Sequence, residues 1–121
     1  MAKGEKRIQA AFFRSERGTE PVRDWLKRLS REDRLAIGTD IKTVEFGWPI
    51  GMPVCRPMGG GLFEVRTTVQ NRIARVLFSI VDGRVVLLHG FIKKAQKTPK
   101  PDIDLARQRK RLLERQEDED K

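Results

Sequence analysis

The sequence predicts an α+β domain in the order β-α-α-β-β-β-α, with helices packed on one face of a small, mainly antiparallel sheet. Three observations lead there. An alternating apolar stretch opens the chain, two segments with helical spacing follow, and from Leu62 onward runs of Val, Ile, Leu and Phe are separated by short turn signals. From Arg7 to Arg14, Ile8, Ala10 and Phe12 recur at the period of a half-buried strand, and Gly18 breaks the pattern. Thr19 is expected to cap a helix with Pro21 in its first turn and an inward stripe of Val22, Trp25, Leu26 and Leu29. Ser30-Arg31-Glu32-Asp33 has the form of a capping box, opening a second helix that turns Ile37, Ile41 and Val44 inward and ends at Gly47. Gly47 to Gly61 contains three prolines and five glycines and predicts a long loop. Leu62–Thr67 is the next strand. Ile73–Val81 and Arg84–Ile92 form a hairpin around Asp82-Gly83, the pair that a two-residue type I′ turn favours. Pro99 and Pro101 stop the sheet, and Ile103–Leu113 predicts a last helix, loosely docked because its apolar stripe is thin.

At 121 residues the chain suits one domain, assigned to residues 1–115, with 116–121 an acidic tail expected to be disordered. Its 38% hydrophobic residues suffice for a modest core, while the 36% that are charged must mostly stay in water. The longest apolar run, Val85-Val86-Leu87-Leu88, is far short of the roughly 20 residues a spanning helix needs. The charged start, Met1-Ala2-Lys3-Gly4-Glu5-Lys6-Arg7, has no apolar region behind it, so a cytoplasmic protein is expected. The single cysteine, Cys55, has no second Cys or clustered His with which to form a disulfide or zinc site, and it is expected to be inert.

Charge points to a polyanionic partner. Lys and Arg number 26 against 17 Asp and Glu, a net of +9. Between Lys93 and Arg115 nine Lys/Arg face three Asp/Glu, so a net of +6 is concentrated there.

The hairpin turn sets a register. With Val81 opposite Arg84, Arg75 faces Gly90 and Val76 faces His89. Val76, Phe78, Ile80, Val85, Leu87, His89 and Phe91 then share the face the helices cover, and Arg75, Leu77 and Leu88 lie on an open face. A turn over Thr68–Asn71 would place Glu64 opposite Arg75 and Arg66 opposite Ile73, gathering Glu64, Arg66 and Arg75 on that open face. Two arginines and a carboxylate beside Lys93, Lys94 and Lys97 could grip an RNA phosphate; the plainer reading is a solvated face with one weak ion pair. His89, the lone histidine, falls by parity among apolar residues and reads as a hydrogen-bonded core residue, not a general base. Trp25 and Trp48 read as packing residues. Gly59-Gly60-Gly61 precedes a strand and lacks the Lys-Ser/Thr of a phosphate loop.

The runs Gly60-Gly61-Leu62-Phe63-Glu64-Val65-Arg66, Arg72-Ile73-Ala74-Arg75-Val76-Leu77-Phe78 and Leu88-His89-Gly90-Phe91-Ile92-Lys93-Lys94, with Lys97-Thr98-Pro99 and Ile103-Asp104-Leu105-Ala106, resemble the phage-derived HigB-like branch of the RelE/ParE toxin superfamily. The resemblance implies a RelE-like fold and the toxin of a type II toxin–antitoxin system, a ribosome-dependent mRNA endonuclease that stops translation. It implies catalytic roles for Arg66 and Arg75 at the scissile phosphate and for Lys93 and Lys94 at the end of the last strand, with Lys97, Lys100 and Glu64 contacting RNA. One of Lys93, Lys94 or Lys97 would transfer a proton. Implied partners are mRNA, the ribosome and a cognate antitoxin of helix-turn-helix, DNA-binding type; no metal or other cofactor is implied. Glu64 stands where related toxins can carry a basic residue, and the chain has no tyrosine, which several relatives use near the C-terminal helix. A ParE-like inhibitor of DNA gyrase and a noncatalytic RNA- or ribosome-binding module remain alternatives that charge does not separate.

Overall fold

The computed structural model describes residues 5–94 and 96–119. The elements are β1 (Gln9–Phe12), α1 (Pro21–Arg28), α2 (Arg31–Gly47), β2 (Cys55–Gly59), β3 (Leu62–Val69), β4 (Arg72–Val81), β5 (Arg84–Lys93) and α3 (Lys100–Glu119). The five strands form one sheet in the order β1-β5-β4-β3-β2, antiparallel except for the β1–β5 pair. The α+β class holds, with one strand more than the sequence suggested. Strand β2 lies within the Pro- and Gly-rich stretch read as a loop, on the sheet edge, where Pro57 is tolerated because no further strand needs its missing N–H.

The starts of α1 and α2 differ in their capping. Ser30 caps α2 by accepting from the Asp33 N–H at 3.2 Å. The cap of α1 is Glu20 in place of Thr19, because Thr19 is occupied one step earlier: its hydroxyl and its N–H both bond the Ser15 hydroxyl, closing a turn.

The helices cover both faces of the sheet, a correction to the one-sided packing expected. On one face α1 and α2 bury Val22, Ile37, Ile41 and Val44 against Val65, Val76, Phe78, Val85 and Leu87. Phe78 stacks on Phe63 at 5.6 Å and meets Trp48 edge-on at 5.8 Å. On the other face α3 presses Ala106 and Ile103 onto Leu62, Leu77, Leu88 and Phe91. The docking of α3 is firmer than its thin stripe suggested, because arginines add to it: Arg107 donates to the Met58 and Gly59 carbonyls and Arg109 to the Leu88 carbonyl at 2.8 Å. The helix continues past Arg115 to Glu119, into the run expected to be disordered; residues 120–121 lie outside the described residues. Among the described residues no helix is long and apolar enough to cross a membrane.

Register decides which side chains meet. Asp82 and Gly83 both take positive φ, as a type I′ turn requires, and pairing runs as expected from Val81↔Arg84 to Phe78↔Leu87. There β5 bulges: Leu88 is an extra residue, and pairing resumes at Leu77↔His89, Val76↔Gly90 and Arg75↔Phe91. The bulge turns His89 and Phe91 to the α3 face and Gly90 to the α1 face, reversing the expected parity beyond Leu88. Arg109 satisfies the carbonyl of the bulged residue. Between β3 and β4 the turn is two residues, Gln70-Asn71, both at positive φ, so Arg66 pairs with Arg75 and Glu64 with Leu77. This slip by two positions keeps parity, and Glu64, Arg66 and Arg75 still share a face.

Gly90 lies under the Trp25 ring, where an added Cβ would sit 2.4 Å from Cε3. Gly90→Ala is therefore expected to destabilise the fold by about 1–3 kcal/mol through overpacking, read as a lowered urea midpoint at unchanged slope. A shift within about 0.5 kcal/mol would mean that α1 moves away at little cost.

Candidate RNA-binding and catalytic site

The α3 face of the sheet collects charge where β2, β3 and β4 lie side by side. Arg56 of β2 stands opposite Glu64 of β3, and Arg66 opposite Arg75 of β4, so the register brings three arginines and one glutamate together on this face. Glu64 is fully buried and accepts from Arg66 Nε at 2.5 Å and from the Thr98 hydroxyl. Arg66, with 19% of its side chain exposed, also donates from Nη2 to the Gln96 carbonyl at 2.7 Å. Arg75 is fully buried and donates from Nη1 to the Lys97 carbonyl at 3.1 Å. Burial, then the neighbouring Arg66, lowers the Arg75 pKa, while Glu64 opposes the shift. Glu64, Arg66 and Arg75 thus strap the segment between β5 and α3 across the sheet. The expectation that Arg75 emerges on an open face is corrected: α3 and this segment cover it.

The strapped segment carries the lysines. Lys94 and Lys97 are exposed, and Lys100 opens α3 with 85% of its side chain in solvent, beside Asp104 at 2.9 Å. Lys93, at the end of β5, reaches Asp102 Oδ2 at 3.1 Å, and His89 Nε2 lies 2.7 Å from Asp102 Oδ1. Asp102 belongs to the first turn of α3, where the helix dipole also favours a carboxylate. Burial works against the charged form of Asp102, but hydrogen bonds from His89 and Lys93 outweigh it and hold the carboxyl below its ordinary value. His89 is pushed below its ordinary value by burial, with Arg109 and Lys93 adding to the effect and Asp102 opposing it. The imidazole stacks on Phe91 at 5.3 Å, and the Phe91 ring lies 5.6 Å from Lys93 Nζ and 5.9 Å from Arg75 Cζ.

The sequence profile of the family described as Phage derived protein Gp49-like (DUF891) matches residues 24–111, from within α1 to within α3. The chain belongs to this family. No curated protein matches it.

The matched span of this Gp49-like chain includes every residue of the charged face, Arg56 through Asp104. Of the residues singled out from sequence, Glu64, Arg66 and Arg75 do meet, and Lys93, Lys94, Lys97 and Lys100 do follow one another at the adjoining edge. Glu64 is placed to orient its neighbours and is too buried to touch RNA itself. Sequence reasoning missed Arg56, Thr98 and the His89–Asp102 pair. Arg56 was hidden in a segment that did not look like a strand. Asp102 did carry a signal, since an acid just after Pro101 marks a helix start, but nothing local says that this helix begins beside His89. Cys55 is buried among apolar neighbours, and burial pushes its thiol up to about 11, which makes it a poor nucleophile at neutral pH.

Proposed function

We propose that this Gp49-like protein is the toxin of a type II toxin–antitoxin pair, an mRNA endonuclease that cuts messages on the translating ribosome in the cytoplasm and is neutralised by a cognate helix-turn-helix antitoxin. One observation carries the reading: a surplus of fixed positive charge borders a hydrogen-bonded imidazole–carboxylate pair at the edge of one sheet face. Such an edge suits phosphodiester cleavage. The 2′-oxygen attacks the adjacent phosphorus in line, forming a new P–O bond as the P–O5′ bond breaks, and leaves a 2′,3′-cyclic phosphate and a 5′-hydroxyl. Charge on the phosphoryl oxygens in the transition state calls for cations held in place beforehand. Arg66, held by Glu64 and the Gln96 carbonyl, meets this through its exposed edge, and the exposed Lys93 and Lys94 close on the phosphate as it binds. Arg75 acts from behind, holding the Lys97 carbonyl and so the course of the lysine segment. The leaving 5′-oxygen takes its proton from an ammonium of that segment.

The resemblance of this chain's motifs to HigB-like toxins, and an α+β strand and helix order compatible with the fold that the resemblance implies, support the same reading. Sequencing RNA 5′ ends after brief expression tests it: cuts are expected within translated messages, phased with codons. Growth arrest with intact messages and inhibited gyrase would favour the ParE-like activity instead. Ribosome binding without any new 5′ ends would leave a noncatalytic module.

A further inference from the structure

We propose that His89 and Asp102 form a proton-accepting pair governed by Lys93: an RNA phosphate that draws the Lys93 ammonium off Asp102 turns the imidazole into the base for the attacking 2′-hydroxyl. The role rests on the nuclease reading above. The geometry is that of one carboxylate shared by two donors, with Lys93 Nζ at 3.1 Å on Oδ2 and His89 Nε2 at 2.7 Å on Oδ1. An ionised carboxylate only accepts, so Nε2 carries the proton and donates it to Asp102, leaving Nδ1 with its lone pair. This tautomer is the one a general base needs.

The charges facing His89 are Lys93 on its own strand and Asp102 and Arg109 on α3; the residue opposite on β4 is the apolar Leu77. Lys93 and Arg109 disfavour protonation of the ring and Asp102 favours it. Arg109 is tied to the Leu88 carbonyl, whereas Lys93 has 48% of its side chain in solvent, so Lys93 is the cation an incoming phosphate can take. Its departure leaves Asp102 wholly to His89, and the phosphate adds negative charge nearby. Both changes raise the proton affinity of the imidazole, bringing the base into strength when substrate is present. In the reaction the 2′-hydroxyl proton passes to Nδ1 as the new P–O bond forms. The P–O5′ bond breaks, its oxygen takes a proton from a lysine ammonium, and both groups re-equilibrate with water.

His89 is the only histidine in the chain, so untagged protein gives a single imidazole signal whose chemical shift against pH reports this site. The probe is a 2′-O-methyl oligoribonucleotide, which has phosphates but no 2′-hydroxyl to react. Free wild type is expected to titrate below the ordinary histidine value, and saturating oligonucleotide to raise the midpoint by about one pH unit. Lys93→Gln should start higher than wild type and respond less, and Asp102→Asn should start lower. In cleavage assays the acidic limb of the wild-type rate profile should follow the RNA-bound midpoint and vanish in His89→Gln. A wild-type midpoint that the oligonucleotide leaves unmoved, or an oligonucleotide that fails to bind, overturns the proposal even if a variant proves unfolded. A protein that cuts messages with an unmoved His89 keeps the nuclease and loses this base; one that shows the coupling but cuts nothing loses the nuclease and keeps the coupling.

Discussion

Glu64→Ala is expected to destabilise the protein by about 3 kcal/mol or more, because it removes the buried carboxylate that pairs Arg66, accepts from the Thr98 hydroxyl and offsets the positive charge of buried Arg75. The partial exposure of Arg66 keeps the effect toward the lower end of the range for broken buried pairs, since water can take over part of its solvation. In urea the midpoint should fall by more than about 1 M at a typical slope for a small domain. Loss of the Thr98 contact should also open the segment between β5 and α3 to proteolysis in the native state. Glu64→Gln retains an acceptor and shape and should fall between wild type and Glu64→Ala. Equal stability of all three proteins would mean that the strap is ornamental and that the lysines are positioned by α3 alone.

The second large effect concerns RNA. Replacing Lys93, Lys94 and Lys97 together by Gln is expected to weaken binding to ribosomes and to flatten its salt dependence by about 2–3 log units per log unit of salt, if each lysine releases one counterion. The fold should survive, since all three side chains are exposed or nearly so and their backbone contacts are kept. Lys110→Gln with Arg111→Gln is a control that removes two charges elsewhere: both lie on α3, and Lys110 is already paired with Glu114. Pelleting of ribosomes across a salt series reads the slopes directly. Equal slopes for wild type and the triple-lysine variant would reduce the cluster to a solvated edge.

How far the sequence could be read depended on whether a feature announces itself through residue type. Asp82-Gly83 does, and the register it set was right as far as Phe78↔Leu87. The bulge at Leu88 does not, because its extra residue is apolar in a strand with apolar neighbours on both faces. That one residue moved His89 from a supposed apolar core to the side of Asp102. The β3–β4 turn was read as four residues because glutamine at positive φ has no compositional signature, yet an even slip preserved the face shared by Glu64, Arg66 and Arg75. Arginine docking was invisible for another reason. Arg107 and Arg109 hold α3 through backbone carbonyls, which an apolar stripe does not record, so basic residues that looked like RNA ligands are partly structural. The same holds for Arg75, whose type was read correctly and whose burial was not. The lysines after β5 were legible as a group because Pro99 and Pro101 had to end the sheet beside them.

The claim that this charged edge cuts RNA by 2′-hydroxyl attack is tested most directly by capturing the ends it makes on a message in a purified translation system. New 5′-hydroxyl ends are expected at codons held in the ribosome, absent when the ribosomes are omitted and absent when the nucleotide before the cut carries 2′-deoxyribose. Persistence of full-length message in the presence of active protein, or ends bearing 5′-phosphate, would contradict it.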